Sequence, residues 1–206
     1  MNRLALGVII LGAGASSRMG RPKLLLPWGN TSIIGHLIQQ WQALNAQQIT
    51  IVCRPGDQPL ADELRRLGFP AQNRIENPKP ERGMFSSIVC ATSWTGWKPG
   101  LNAWAIVLGD QPHLRPDTLR GLLAFYSDHT DAICQPSYDG RARHPVLLPR
   151  QAFEELKHSR AETLKDFLQN TACPLNECSI QDSGLALDLD SPEDYDIATS
   201  FHPSST

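Results

Sequence analysis

The cysteines of this chain form no pattern that could close a framework. Cys53, Cys90, Cys134, Cys173 and Cys178 are odd in number, scattered, and without Cys-x-x-Cys spacing. That excludes a disulfide scaffold and a structural zinc site and leaves ordinary reduced, mostly buried thiols. No apolar run is long enough to span a bilayer. The run nearest the start, Leu4 to Leu11, ends in glycines and carries no small-residue cleavage pattern, so a cytoplasmic protein with no membrane partner is expected. Charge of one sign is also missing: 19 Lys and Arg stand against 21 Asp and Glu, for a formal net charge of −2. Nothing in that balance draws nucleic acid, and any basic character must be local. The 206 residues show no internal repeat or low-complexity tract and fit one domain with a continuous core. Residues 1–200 are expected to form that domain, with 201–206 a frayed polar tail.

The local basic spot lies directly after the first apolar run. From Leu11 to Lys23 the chain offers Gly12 and Gly14, the small residues Ala13, Ala15 and Ser16, and the cations Arg18, Arg21 and Lys23. Glycines without side chains let backbone amides approach an anion closely, and the cations bring charge to the same place, so a polyphosphate is the natural guest. A Walker-type loop needs Gly-Lys followed by Ser or Thr, but Lys23 follows Pro22 and precedes Leu24. The dinucleotide pattern matches at Gly12 and Gly14 and fails at Ser17, and Cys53 and Arg54 stand where an acidic residue would close the next strand. An arginine there can take a 2′-phosphate, which keeps an NADP-binding domain open as an alternative.

Along the chain, apolar runs alternate with helical spacing. Strands are expected at 4–11, 49–53, 71–75, 103–108, 132–135, 146–148 and 174–178. Helices are expected at 31–44, capped by Thr31 or Ser32, and at 59–67, 84–94, 116–127, 151–157 and 162–168. This alternation predicts an α/β fold, a single three-layer domain whose mostly parallel Rossmann-like sheet carries helices on both faces. In such folds ligands sit at the carboxyl edge of the sheet, where Asp110 directly follows a buried strand and is the first candidate metal ligand; turn capping is the competing reading. The segment Gly83-Met-Phe-Ser-Ser opens a helix with free amides and two hydroxyls, Ser86 and Ser87, which either face a ligand or simply occupy the first turns. Ser191, Pro192, Glu193 and Asp194 read as a helix start. They leave Asp188 and Asp190 unexplained; an alternating strand would put both on one face.

The set Leu11-x-Ala13-Gly14-x-Ser16-x-Arg18-Met19-Gly20-x-x-Lys23-x-Leu25-Leu26-Pro27-x-Gly29 resembles the motif of nucleotidyltransferases with a MobA-like NTP-transferase domain. The Ala13-Gly14 pair and the Lys-Leu-Leu-Leu-Pro continuation are most similar to the molybdenum cofactor cytidylyltransferase branch. The resemblance implies a fold of the nucleotide-diphospho-sugar transferase type. It implies a nucleotide site at Leu11, Gly12, Ala13, Gly14, Arg18, Lys23, Gly83, Ser86 and Ser87, with Arg18, Lys23 and Asp110 catalytic and Mg2+ on Asp110 and Asp190. The turn Tyr138-Asp-Gly-Arg-Ala-Arg-His-Pro145 resembles the acceptor-facing element of these transferases, although Ala142-Arg143 replaces the usual Arg-Gly. Gln111, Arg143 and His144 are therefore acceptor candidates, with a backbone-held loop histidine the competing reading for His144.

The implied reaction moves CMP from CTP to the terminal phosphate of molybdopterin carrying molybdenum, releases pyrophosphate and hands the product to a molybdoenzyme. Alternatives are a guanylyltransferase using GTP, a sugar- or polyol-phosphate nucleotidyltransferase of the same fold, and, in another class, a non-catalytic molybdenum cofactor chaperone.

Overall fold

A computed structural model describes residues 4–14 and 22–201. The strands are β1 (Leu6–Leu11), β2 (Pro27–Trp28), β3 (Thr31–Ser32), β4 (Gln48–Cys53), β5 (Arg74–Glu76), β6 (Ala103–Leu108), β7 (Ile133–Tyr138), β8 (Arg141–Ala142), β9 (Val146–Pro149) and β10 (Leu175–Ser179). The helices are α1 (Ile33–Ala43), α2 (Gln58–Arg66), α3 (Met84–Ser93), α4 (Pro116–Ser127), α5 (Arg150–Leu156), α6 (Leu164–Asn170) and α7 (Pro192–Ser200). The main sheet runs in the order β10-β7-β9-β6-β1-β4-β5, with β8 paired to β7. Neighbours β6, β1, β4 and β5 are parallel, whereas β9 is antiparallel to both β6 and β7.

The two-residue period of the buried strands builds the three layers. In β1, Val8 and Ile10 face one apolar cluster with α1, α2, α4 and α7, while Ile9 faces a second with α3, α5 and α6. In β6, Ala103, Ala105 and Val107 join the first cluster, and Trp104 and Ile106 the second. Helix starts follow their caps. The Ser32 hydroxyl accepts from the Gly35 amide at 3.2 Å, and Ser191 and Asp194 form a reciprocal capping box on α7.

The expected elements are present with three local changes. Thr31 belongs to a short ribbon, β2–β3, and only Ser32 caps α1. The segment 71–75 begins as a 3-10 turn after Pro70 and becomes strand at Arg74. Asp188 and Asp190 lie in irregular chain rather than on a strand, because the backbone there is used differently: the Leu189 amide donates to the Asp110 carbonyl at 3.2 Å and the Asp190 amide to the Asp188 carbonyl at 3.0 Å. The direction of β9 follows from its short connection to β7: Asp139 (φ 50°) and Gly140 (φ 65°) turn the chain at once, with no room for a crossover. At the other end, Phe201 follows α7 with its ring centroid 6.1 Å from that of His113, and 202–206 lie outside the described residues.

Gly109 sets how closely the ends of β1 and β6 approach. A Cβ there would stand 2.7 Å from the Leu11 carbonyl oxygen and 2.8 Å from Leu24 Cδ2, and the Gly109 amide already bonds that carbonyl at 3.2 Å. Because the nearest atom is backbone, Gly109→Ala should destabilise by about 1–3 kcal/mol, as overpacking does, measured by denaturant unfolding. No loss of stability would mean that this edge is slack.

Candidate active site

The carboxyl ends of β1, β4 and β6 open into a cleft of about 540 Å³, within the usual range for a small-molecule site. Leu11, Gly12, Ala13 and Gly14 form its floor. A Cβ on Gly12 would stand 2.9 Å from Leu24 Cδ1 and 3.1 Å from the Val52 carbonyl oxygen, to which the Gly12 amide donates at 2.8 Å; only glycine fits without a shift. Arg18 lies outside the described residues.

Lys23, Asp110 and Asp190 meet at one end of the cleft, although they come from three separate parts of the chain. Lys23 opens a 3-10 turn, Asp110 follows β6, and Asp190 precedes the cap of α7. The ammonium of Lys23 lies 3.3 Å from Asp110 Oδ2 and 3.2 Å from Asp190 Oδ1. Burial pushes the Asp110 carboxyl above its ordinary range; Lys23 works against that shift and the charge of Asp188 adds to it. A partly buried carboxylate that shares one ammonium with a second carboxylate offers a place for a cation.

The opposite wall is the turn before α3. Gly83 caps α3 at φ 85° and lines the cleft with Pro80, Glu81, Met84 and Ser87. Ser86 is not part of that wall, and its hydroxyl lies 2.7 Å from the Gly83 carbonyl and 3.1 Å from that of Lys79. Asn77, which the sequence reading passed over, organises the turn. Its amide nitrogen donates to the hydroxyls of Ser86 and Ser87 at 2.8 and 2.9 Å, and its oxygen accepts from the Lys79 amide at 2.9 Å. Arg54, weighed from sequence only as a 2′-phosphate partner, also lines the cleft.

The three acceptor candidates do not line this cleft. Gln111 is buried and donates to Asp188 Oδ1 at 2.9 Å, which gives Asp188 a partner. Gln111 Oε1, Arg143 Nε and His144 Nδ1 are buried without a hydrogen-bond partner.

Burial lowers the pKa of both His113 and His144 below 6.5; for His113 the contact of Nε2 with the Gly184 carbonyl at 2.9 Å, and the charges of Asp188, Asp182 and Asp110, oppose the shift. In the unfolded chain these rings take up protons first as pH falls. Between 6.5 and the depressed values the unfolded state therefore binds more protons, and stability is lost across that window. Melting temperature should fall from pH 7.5 to 5.5, and His113→Asn should flatten the slope. An unchanged slope would mean that His113 does not titrate differently in the two states.

Residues 8–175 match the MobA-like NTP transferase domain. The chain belongs to that family. Molybdenum cofactor cytidylyltransferase of Escherichia coli K12 is 25% identical over 196 residues, covering 93% of this chain and 94% of that protein. Molybdenum cofactor guanylyltransferase of Mesorhizobium japonicum is 28% identical over 153 residues, 73% of this chain and 70% of its own length. Bifunctional protein GlmU of Cereibacter sphaeroides is 29% identical over 132 residues, 63% of this chain, but the match spans only 28% of GlmU. Among solved structures, a nucleotidyl transferase from Methanothermobacter thermautotroptrophicus superposes with a TM-score of 0.76 at 16% identity, covering 96% of this chain and 97% of that one. A CMP-2-keto-3-deoxy-manno-octonic acid synthetase complexed with CTP gives 0.74 at 13% identity, covering 98% and 100%. These likenesses establish the fold, and the family model makes the chain a nucleotidyltransferase of the MobA-like type.

Proposed function

We propose that the chain transfers CMP from CTP to the terminal phosphate of molybdopterin carrying molybdenum, with release of pyrophosphate. The observation that carries this reading is the meeting of Lys23, Asp110 and Asp190 at one end of a glycine-floored cleft, in a family member that aligns over 93% of its length with a molybdenum cofactor cytidylyltransferase. Amides of the Gly12–Gly14 turn and the Lys23 ammonium hold the triphosphate and take up the charge of the departing pyrophosphate. The acceptor is a phosphate monoester, already anionic near neutral pH, so no strong general base is required.

Two hard carboxylates brought to within 3.3 Å of one cationic point suit magnesium, which pairs one or two carboxylates with substrate phosphates. Among the described residues no group of three or more His, Cys, Asp or Glu is disposed for a metal, so the triphosphate completes the set. When bound, magnesium supplies charge neutralisation at the phosphates.

A guanylyl transfer is the second reading, favoured by the similarity to the Mesorhizobium japonicum protein. The test incubates the protein with magnesium, molybdopterin carrying molybdenum and labelled CTP or GTP, and measures dinucleotide and pyrophosphate. Turnover with GTP alone would reverse the donor, and turnover with neither would remove the proposal.

A further inference from the structure

Arg54 stands at the carboxyl end of β4, and the transfer chemistry above makes no use of it. Its Nε donates to the Ala13 carbonyl at 2.8 Å, which pins the guanidinium to the floor of the cleft. Among the described residues its two terminal nitrogens meet no hydrogen-bond acceptor or carboxylate, and Glu81 in the same wall makes no ion pair with it. Neither terminal nitrogen is among the buried side-chain atoms without a partner, so both stand open to the cleft, where a ligand that brings acceptors can take the place of water.

Its place in the sheet says which part of the ligand that is. In the order β6-β1-β4, Arg54 lies two strands from Asp110, about 10 Å at ordinary strand spacing. The cleft runs from Lys23, Asp110 and Asp190 toward Arg54, Pro80, Glu81 and Gly83 and does not include Gln111, Arg143 or His144. With the phosphates at the Lys23 end, the base comes to the Arg54 end.

We propose that Arg54 reads the base of the nucleoside triphosphate, admitting cytosine or guanine and rejecting adenine and uracil. The inference rests on the nucleotidyl-transfer reading above. A guanidinium only donates, so its fork pairs with two adjacent acceptors. Cytosine offers O2 beside N3, and guanine O6 beside N7. Uracil places N3–H between its two oxygens, and adenine places its amino group between N1 and N7. Arg54 therefore screens out two of the four bases, and other groups of the cleft choose between the remaining two.

The test is binding of the magnesium complexes of CTP, GTP, UTP and ATP to the full chain without acceptor, by titration calorimetry, in wild type, Arg54→Lys and Arg54→Gln. Wild type is expected to bind the better of CTP and GTP at least tenfold tighter than UTP and ATP. Both variants should lose roughly ten- to a hundredfold for that nucleotide and little for UTP and ATP, so the ratio collapses. Arg54→Lys keeps the charge without the fork and must behave like Arg54→Gln; retained selectivity in it would overturn the proposal. Equal weakening for all four nucleotides would reduce Arg54 to a support of the Ala13 turn, and equal wild-type affinity for all four would also overturn it. Thermal melts confirm that each variant is folded. Base selectivity as stated with no transfer to molybdopterin would remove the proposed function and leave the assignment of Arg54 intact.

Discussion

Asp110→Asn is expected to lower nucleotidyl transfer by roughly 10³-fold while leaving the fold at least as stable as wild type. The carboxylate is one of two that converge on the end of the cleft, and an amide cannot supply the negative charge that a cation needs there. Its removal relieves the fold of a burden. Burial raises the Asp110 pKa above its ordinary value of 3.8, so the native state binds more protons than the unfolded state across the window between the two values. Stability is accordingly lost as pH rises through that window, and above it the penalty stays constant. Asn carries no charge and escapes it, while Lys23 keeps Asp190 as partner. The checks are a transfer assay and denaturant unfolding at pH 7.5. Turnover within tenfold of wild type would sink the metal assignment, and a cooperative loss of fold would make Asp110 a structural residue first.

The layers of this fold were legible because parallel strands buried on both faces are unbroken apolar runs, and the helices between them repeat with helical period. The glycine turn after β1 was legible because Gly12 answers a steric demand, whereas a Cβ on Gly14 would meet nothing within 4 Å. What escaped were features without a period. A two-residue ribbon such as β2–β3 has no alternation to detect, and the reversed direction of β9 depends on a turn whose consequence is set by its neighbours in the sheet. Arg54 and Asn77 are single polar residues after strands, and only the tertiary structure brings Arg54 to the glycine turn and Asn77 to the start of α3. For Asp188 and Asp190 the alternating spacing misled, because tertiary hydrogen bonds to and from the backbone, not a sheet neighbour, fix that segment.

Lys23→Met should produce two opposite effects. Transfer should fall by roughly 10²- to 10³-fold through loss of a preorganised cation at the phosphates. Divalent-metal affinity of the nucleotide-free protein should rise. Without nucleotide, the ammonium lies 3.3 and 3.2 Å from the two carboxylates, in the place where a cation would neutralise both. An incoming metal must displace it. Side-chain exposures of 29% for Asp110 and 44% for Asp190 keep each pair near the worth of a surface ion pair, at most about 1 kcal/mol. Two such pairs translate into roughly a five- to thirtyfold gain in metal affinity on removal of the amine. The measurement is Mn2+ titration by electron paramagnetic resonance without nucleotide, in wild type and variant, alongside the Michaelis constant for CTP. Unchanged or weaker Mn2+ binding in Lys23→Met would show that the lysine does not compete for the carboxylate pair. A gain would mean that the pair is held shut by Lys23 until a triphosphate offers the ammonium another anion, which favours arrival of metal and nucleotide together.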